Sequence, residues 1–326
     1  MRVKINGIFF EHFIVNSLDL GFDTVASTFN ITVPFDPSNP SHRSLFRPFG
    51  YRSVFFYDDN DDLILAGTAI NQSFVSDASV TEATLTGYSF SGILEDCTLP
   101  IASYPAQFDN LNLREILTEV TKPFNLDFVI FQSAMDQANT PYEQVELGPT
   151  QKIKGFLDGL CRDRGLILSH DVAGRLVVRT EPSSGQARGL IAPGAPFTSL
   201  RRDTNGQNSF REVTVIGQAS ATGDEPQQDT GFNPLIDRLA NRFISVAQTS
   251  GDNALASYLR DQKKNDTVTI SMEGWLIGDR MPRPGDFYKI RNSGLFIDND
   301  TPYLTRTASY QQDAQGKTAT LNMTRV

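Results

Sequence analysis

In the last third of the chain, apolar and polar residues alternate one by one. Val268, Ile270 and Met272 interleave with Thr267, Thr269 and Ser271, and Ala319, Leu321 and Met323 with Thr318, Thr320, Asn322 and Thr324. A period of two predicts strands with one apolar face and one Thr-rich face turned to water or a polar partner, as in an antiparallel sheet. Between them, Phe287-Tyr288-Lys289-Ile290 follows a turn at 282–286, and Tyr303-Leu304-Thr305-Arg306 precedes a strand pair joined through 313–316. Short strands at this spacing predict a barrel or sandwich. The first hundred residues read the same way, with strands at 3–5, 8–10, 28–33, 53–57, 63–70 and 79–88 and a hairpin loop at the acidic run 58–62. No sequence repeat links the two β regions.

At 108–180 the period becomes helical. Leu113, Ile116, Leu117 and Val120 share one helix face, with Asn112 as N-cap, Glu115 completing a capping box and Pro123 limiting the far end. Ile153, Phe156, Leu157 and Leu160 repeat the stripe, with Thr150 as the expected cap and Gly165 as the left-handed terminator. Each helix runs into extended apolar sequence: 126–131 after the first, then 166–168 and 176–178, joined by a hairpin turn at 171–174. This predicts a small αβαββ module.

A chain of 326 residues suits two or three domains. The expected organisation is a β-barrel domain at 1–105, the αβαββ module at 106–182, a Pro- and Gly-rich linker at 183–197, and a second β-barrel domain at 198–326. The fold class is thus mainly β with an α+β insertion. A polar excursion starts at 218, richest at 218–234 and extending to about 250, after which Asn253 caps a helix to about 264.

Net charge of -9 argues against a nucleic-acid-binding role, which needs clustered Lys and Arg on phosphates. Arg201-Arg202 and Lys263-Lys264 read as solvated pairs with no role. No apolar run approaches the ~20 residues of a membrane helix, and the first residues carry no secretory signal pattern, so neither membrane insertion nor export by its own signal is expected. Two cysteines, Cys97 and Cys161, exclude a disulfide framework and read as single buried thiols made in a reducing compartment. Sequons at Asn30, Asn71, Asn265, Asn299 and Asn322 read as chance in an Asn- and Thr-rich chain.

No reactive constellation is written in the sequence. His12, His42 and His170 stand far apart in unlike contexts. The run 58–62 lacks the spacing, glycine and terminal glutamate of a calcium loop. Glu95-Asp96 and the pair Glu143 and Glu146 are the nearest approach to paired carboxylates for glycoside hydrolysis, and no phosphate-cradling glycine motif occurs. The expected catalytic, cofactor and metal residues are therefore none. Trp275 reads as part of a barrel wall.

The order β domain, inserted module, β domain resembles the baseplate hub proteins of contractile-tailed bacteriophages, the Mu-like tail hub or late control protein D family. The motifs are Gly274-Trp275-Leu276, then Met281-Pro282-Arg283-Pro284-Gly285-Asp286 and the Tyr303-Leu304 strand, together with Thr86-Gly87-Tyr88 leading to Leu94-Glu95-Asp96-Cys97, and the run Phe210 to Gln218. The excursion after Gln218 and the segment before Asn112 match no family motif. The resemblance implies a homotrimeric ring of two tube-type barrels per subunit, with pseudo-sixfold symmetry. Such a ring adapts a hexameric tail tube, or a distal tube-initiating protein, to a trimeric central spike. Other baseplate proteins are implied partners, with DNA only in passage, in a virion tail assembled in the bacterial host cytoplasm. Two other classes stay open on the residues: a tail-associated enzyme cutting peptidoglycan, and a host-surface-binding module presenting loops 36–50 and 218–234.

Overall fold

The computed structural model describes residues 1–10, 12–77, 81–195, 197–217, 228–247 and 254–326. The chain divides into two compact units. Unit 1 comprises Met1–Glu181, Glu273–Pro284 and Thr307–Ala319, and unit 2 comprises Pro182–Met272, Gly285–Arg306 and Thr320–Val326.

Unit 1 opens with β1 (Arg2–Ile5), β2 (Ile8–Phe10), β3 (Ile14–Gly21), β4 (Thr28–Pro34), α1 (Pro40–Leu45), β5 (Ser53–Tyr57), β6 (Leu63–Ser76) and β7 (Thr81–Ser89). The strands pair antiparallel in the order β3-β4-β7-β6-β5-β1-β2. Asn6 and Gly7, both at positive φ, make the two-residue turn between β1 and β2. The expected strands are all present; Ser79, placed at the start of one of them, lies outside the described residues. Strand β3 was not expected. Its buried residues Val15, Leu18 and Leu20 fall out of strict alternation because the register with β4 shifts between Val15 and Ser17. At 58–62 the Asp58 carboxylate accepts the backbone N–H groups of Asn60 and Asp62, each at 2.9 Å, closing the β5–β6 turn.

The module follows as α2 (Ile93–Asp96), β8 (Gln107–Asn112), α3 (Leu113–Thr121), β9 (Phe128–Ile130), α4 (Met135–Asn139), β10 (Pro141–Glu146), α5 (Ile153–Asp163), β11 (Leu166–His170) and β12 (Leu176–Thr180). On α3 the stripe Leu113, Ile116, Leu117 and Val120 is wholly buried, and the capping box closes both ways between Asn112 and Glu115. Helix α5 buries Ile153, Phe156, Leu157 and Leu160, and Gly165 takes its left-handed position. Thr150 does not cap it. The cap position is Lys152, because Gly148 to Gln151 are spent in a turn closed by a backbone hydrogen bond of 3.0 Å. Strands β11 and β12 form the expected hairpin, and β9 adds to β12 in parallel. The antiparallel pair β8–β10 lay outside the sequence expectation, since its exposed, polar strands carry no apolar period.

Unit 2 contains β13 (Ala187–Ile191), β14 (Ser199–Thr204), β15 (Glu212–Ile216), β16 (Gln228–Phe232), β17 (Phe243–Ala247), α6 (Ala254–Lys263), β18 (Asp266–Glu273) and β19 (Phe287–Asn292). The final strands, β20 (Ile297–Asp313) and β21 (Gly316–Arg325), contribute their turn-proximal halves to unit 1, where 307–312 of β20 pairs with β3. Within unit 2 the order is β14-β18-β21-β20-β19-β13. Val268, Ile270 and Met272 are buried on β18, as are Leu321 and Met323 on β21. The stretch 183–197, expected as a linker, holds β13, whose Ala187 and Ile191 pair in parallel with Phe287 and Ile290. Strands β16, β15 and β17 form a separate sheet. Of the polar excursion, 218–227 and 248–253, including Asn253, lie outside the described residues; from 228 the chain is a strand.

Candidate functional site

The residues weighed for chemistry stay apart or serve the fold. Among the described residues no three of His, Cys, Asp and Glu are placed to hold a metal ion. The half-buried His170 sets Nδ1 at 2.9 Å from the Thr24 carbonyl, and desolvation holds its pKa below the ordinary value. His42 accepts the Asp36 N–H and packs on Phe46 and Phe10, while His12 is exposed. Glu143 and Glu146 lie three residues apart on β10, so they face opposite sides of the strand and cannot flank one bond. In the acidic run, Asp58 receives Arg283 at 3.3 Å, Asp59 the N-terminal ammonium and Asp61 the Arg2 guanidinium.

Glu95 and Asp96 diverge likewise. Glu95 faces Lys154, whereas Asp96 accepts the Tyr88 hydroxyl at 2.7 Å. Burial, reinforced by that bond, pushes the Tyr88 pKa up. Tyr88 and Asp96 both belong to the 86–97 segment that carries the family resemblance. They line a cleft of unit 1 of about 770 Å³, together with Tyr51, Phe90, Phe124, Asp127 and Arg175. Arg175 is tied to Asp171 at 2.6 Å, and the half-buried free thiol of Cys97 is among the described residues of the cleft walls. They offer aromatic and carboxylate surface for binding.

Trp275, expected in a barrel wall, lies in the bend just after β18 and is buried. It is 5% exposed, its indole N–H donates to Gln311 O and Thr318 O at 3.0 and 2.9 Å, and Tyr310 meets it edge-on. The expectation for Arg202 is corrected. Neighbouring positions on β14 face opposite sides, so Arg201 is solvated while Arg202 turns inward to a two-pronged pair with Asp266 at 2.8 Å. Arg325 and the Tyr303 hydroxyl also reach Asp266, at 3.3 and 3.4 Å. Strand alternation was the available signal, obscured by the Arg-Arg pairing in sequence.

The fold is a β frame carrying an inserted α+β module, a fold shared with solved phage tail proteins. Residues 91–180 match the family model for baseplate hub protein gp44-like, second domain. The fold is similar over nearly its whole length to the prophage MuSo2 43 kDa tail protein from Shewanella oneidensis, at TM-score 0.75 and 16% identity, covering 99% of this chain and 97% of that one. The tail protein from Neisseria meningitidis MC58 follows at 0.72 and 18% identity, with 99% and 96% covered. A third, the E. coli c3393 protein, is at 0.57 and 12% identity, with 100% and 77% covered; it is a type VI secretion component described as structurally similar to the T4 tail proteins gp27 and gp5. Among curated proteins none matches this sequence. The resemblance to baseplate hub proteins holds in both the family match and the fold.

Proposed function

We propose that three copies of this chain form the hub ring of a contractile tail baseplate, adapting a sixfold tail tube to a threefold central spike. The β parts before and after the module are the two tube-type barrels of each subunit, and DNA passes through the ring without being held. The chain is made in the bacterial host cytoplasm, acts in the virion tail, and works without catalysis.

The observation that carries this reading is the gp44-like second-domain match at 91–180, set within a fold shared end to end with solved tail proteins. Physical features support it. Strand β2 ends its sheet in unit 1 with Ile8 and Phe9 about half exposed, and β14 ends a sheet in unit 2. Bare edges of this kind need a covering partner. Net charge of -9 keeps a conduit from retaining phosphate.

Light scattering on the purified protein over a wide concentration range is the test. A mass three times the 36.1 kDa of one chain supports the ring. A mass of one chain throughout, also after mixing with tube and spike proteins, overturns it.

A further inference from the structure

One turn of unit 1 is built against its own conformational preference. In Arg47-Pro48-Phe49-Gly50 the Gly50 N–H donates to the Arg47 carbonyl at 3.1 Å, Pro48 occupies the second position, and Phe49 the third with φ of 59°. This is the pattern of a type II turn, whose third position favours glycine or asparagine because a side chain is strained there. A bulky phenylalanine holds it instead. Tyr51, two residues on, is also left-handed, with φ of 45°.

The strain gains Phe49 no packing, since the side chain is 86% exposed and Tyr51 60%. Nor is the segment slack. Arg52 donates to Ser44 O at 2.8 Å and Leu45 O at 3.3 Å, and the neighbouring Phe46 is buried among Phe10, Phe35 and His42. A fixed base thus presents an aromatic ring to solvent, and strained, over-determined residues of this kind mark binding sites.

Charge identifies the occupant. Residues 40–52 hold Arg43, Arg47 and Arg52 without a single Asp or Glu, in a chain whose net charge is -9. Among the described residues no carboxylate pairs with Arg43 or Arg47. Two free arginines are too few for a phosphate backbone, which needs several contacts for useful affinity. Beside an aromatic anchor they are the composition of a protein hot spot. The rest of the same chain is net acidic: taking these three arginines from the total of -9 leaves a formal charge of -12. A turn meeting its own copy would set Arg47 against Arg47, whereas a turn meeting a different, acidic patch is attractive, and such head-to-tail contacts close into rings.

We infer that the 47–51 turn is a docking anchor, with Phe49 and Arg47 inserting into an acidic surface of the next copy of this chain. This rests on the ring reading above. The test combines light scattering of the full chain, Phe49→Asn and Arg47→Glu with photo-crosslinking from p-benzoylphenylalanine placed at position 49. Both variants are expected to self-associate at least ~10-fold more weakly. Raising the salt should weaken the unaltered protein as well, since screening acts on exposed charges. Phe49→Asn suits the left-handed backbone, so its melting temperature is expected to hold or rise, which separates loss of docking from loss of fold. The crosslink is expected to join two copies.

Rings of full size in both variants, with no crosslink between copies, overturn this inference and leave the ring standing. A crosslink only to another baseplate protein in assembled particles also overturns it. A single-chain mass under every condition overturns both readings.

Discussion

Asp266, 6% exposed, is the residue on which the charge balance of unit 2 turns. It neutralises Arg202 and Arg325, and Arg202 in turn holds the Leu295 and Phe296 carbonyls at 2.9 Å. Asp266→Asn leaves two guanidinium groups facing a neutral amide; discounted for their partial exposure, the expected loss is about 2 kcal/mol, read by urea unfolding. Cys161 is a second sensitive position. Burial pushes its thiol up to about 12, and burial likewise lifts Tyr303 to about 12. Both folded values lie above the unfolded ones, so the stability these groups contribute is intact below the ordinary thiol value of about 9 and drains away towards pH 12. Melting temperatures across that range should fall steadily. With a thiol reagent near neutral pH, the half-buried Cys97 should react in the native protein, and Cys161 only after denaturation.

At the scale of elements, the Asn112–Glu115 capping box starts α3, and Asn112→Ala is expected to destabilise the protein by about 1 kcal/mol in thermal or denaturant unfolding. Strand β7 crosses β6 where Gly87 lies so close that a Cβ would sit 2.0 Å from the Thr68 carbonyl oxygen. Gly87→Ala must therefore push the strands apart, and an expected loss of about 2 kcal/mol is checkable by the same melts. Elements with a clean period were legible in the sequence: α3, α5, β18 and β21 all bury the stripes that the alternation marks. What hid were elements whose pattern is broken or absent. A bulge throws β3 out of phase, β8 and β10 are exposed on most positions, and β13 sits among prolines and glycines. The site was legible only in part. Tyr88 and Asp96 stood in a segment singled out by family motifs, but their meeting depends on the chain turning back through a short helix that no periodicity announces.

At the scale of the whole molecule, the chain leaves and re-enters unit 1 before completing it. Strand β3 has β4 on one side and the 307–312 segment of β20 on the other, with Ser309 donating to Asp19 at 2.6 Å. A chain stopped at residue 306 would keep most of unit 1 yet leave β3 paired on its β4 side alone, with its other edge open, and an open edge of that kind recruits other chains. Such a fragment is expected to aggregate, seen as loss of soluble protein in gel filtration, while a chain ending after Ala319 keeps unit 1 complete. For a chain synthesised from residue 1 onward, this makes residues 307–319 a timing device: the sheet of the first unit closes over β3 only once they have emerged, and a product cut short of them is expected to betray itself by clumping.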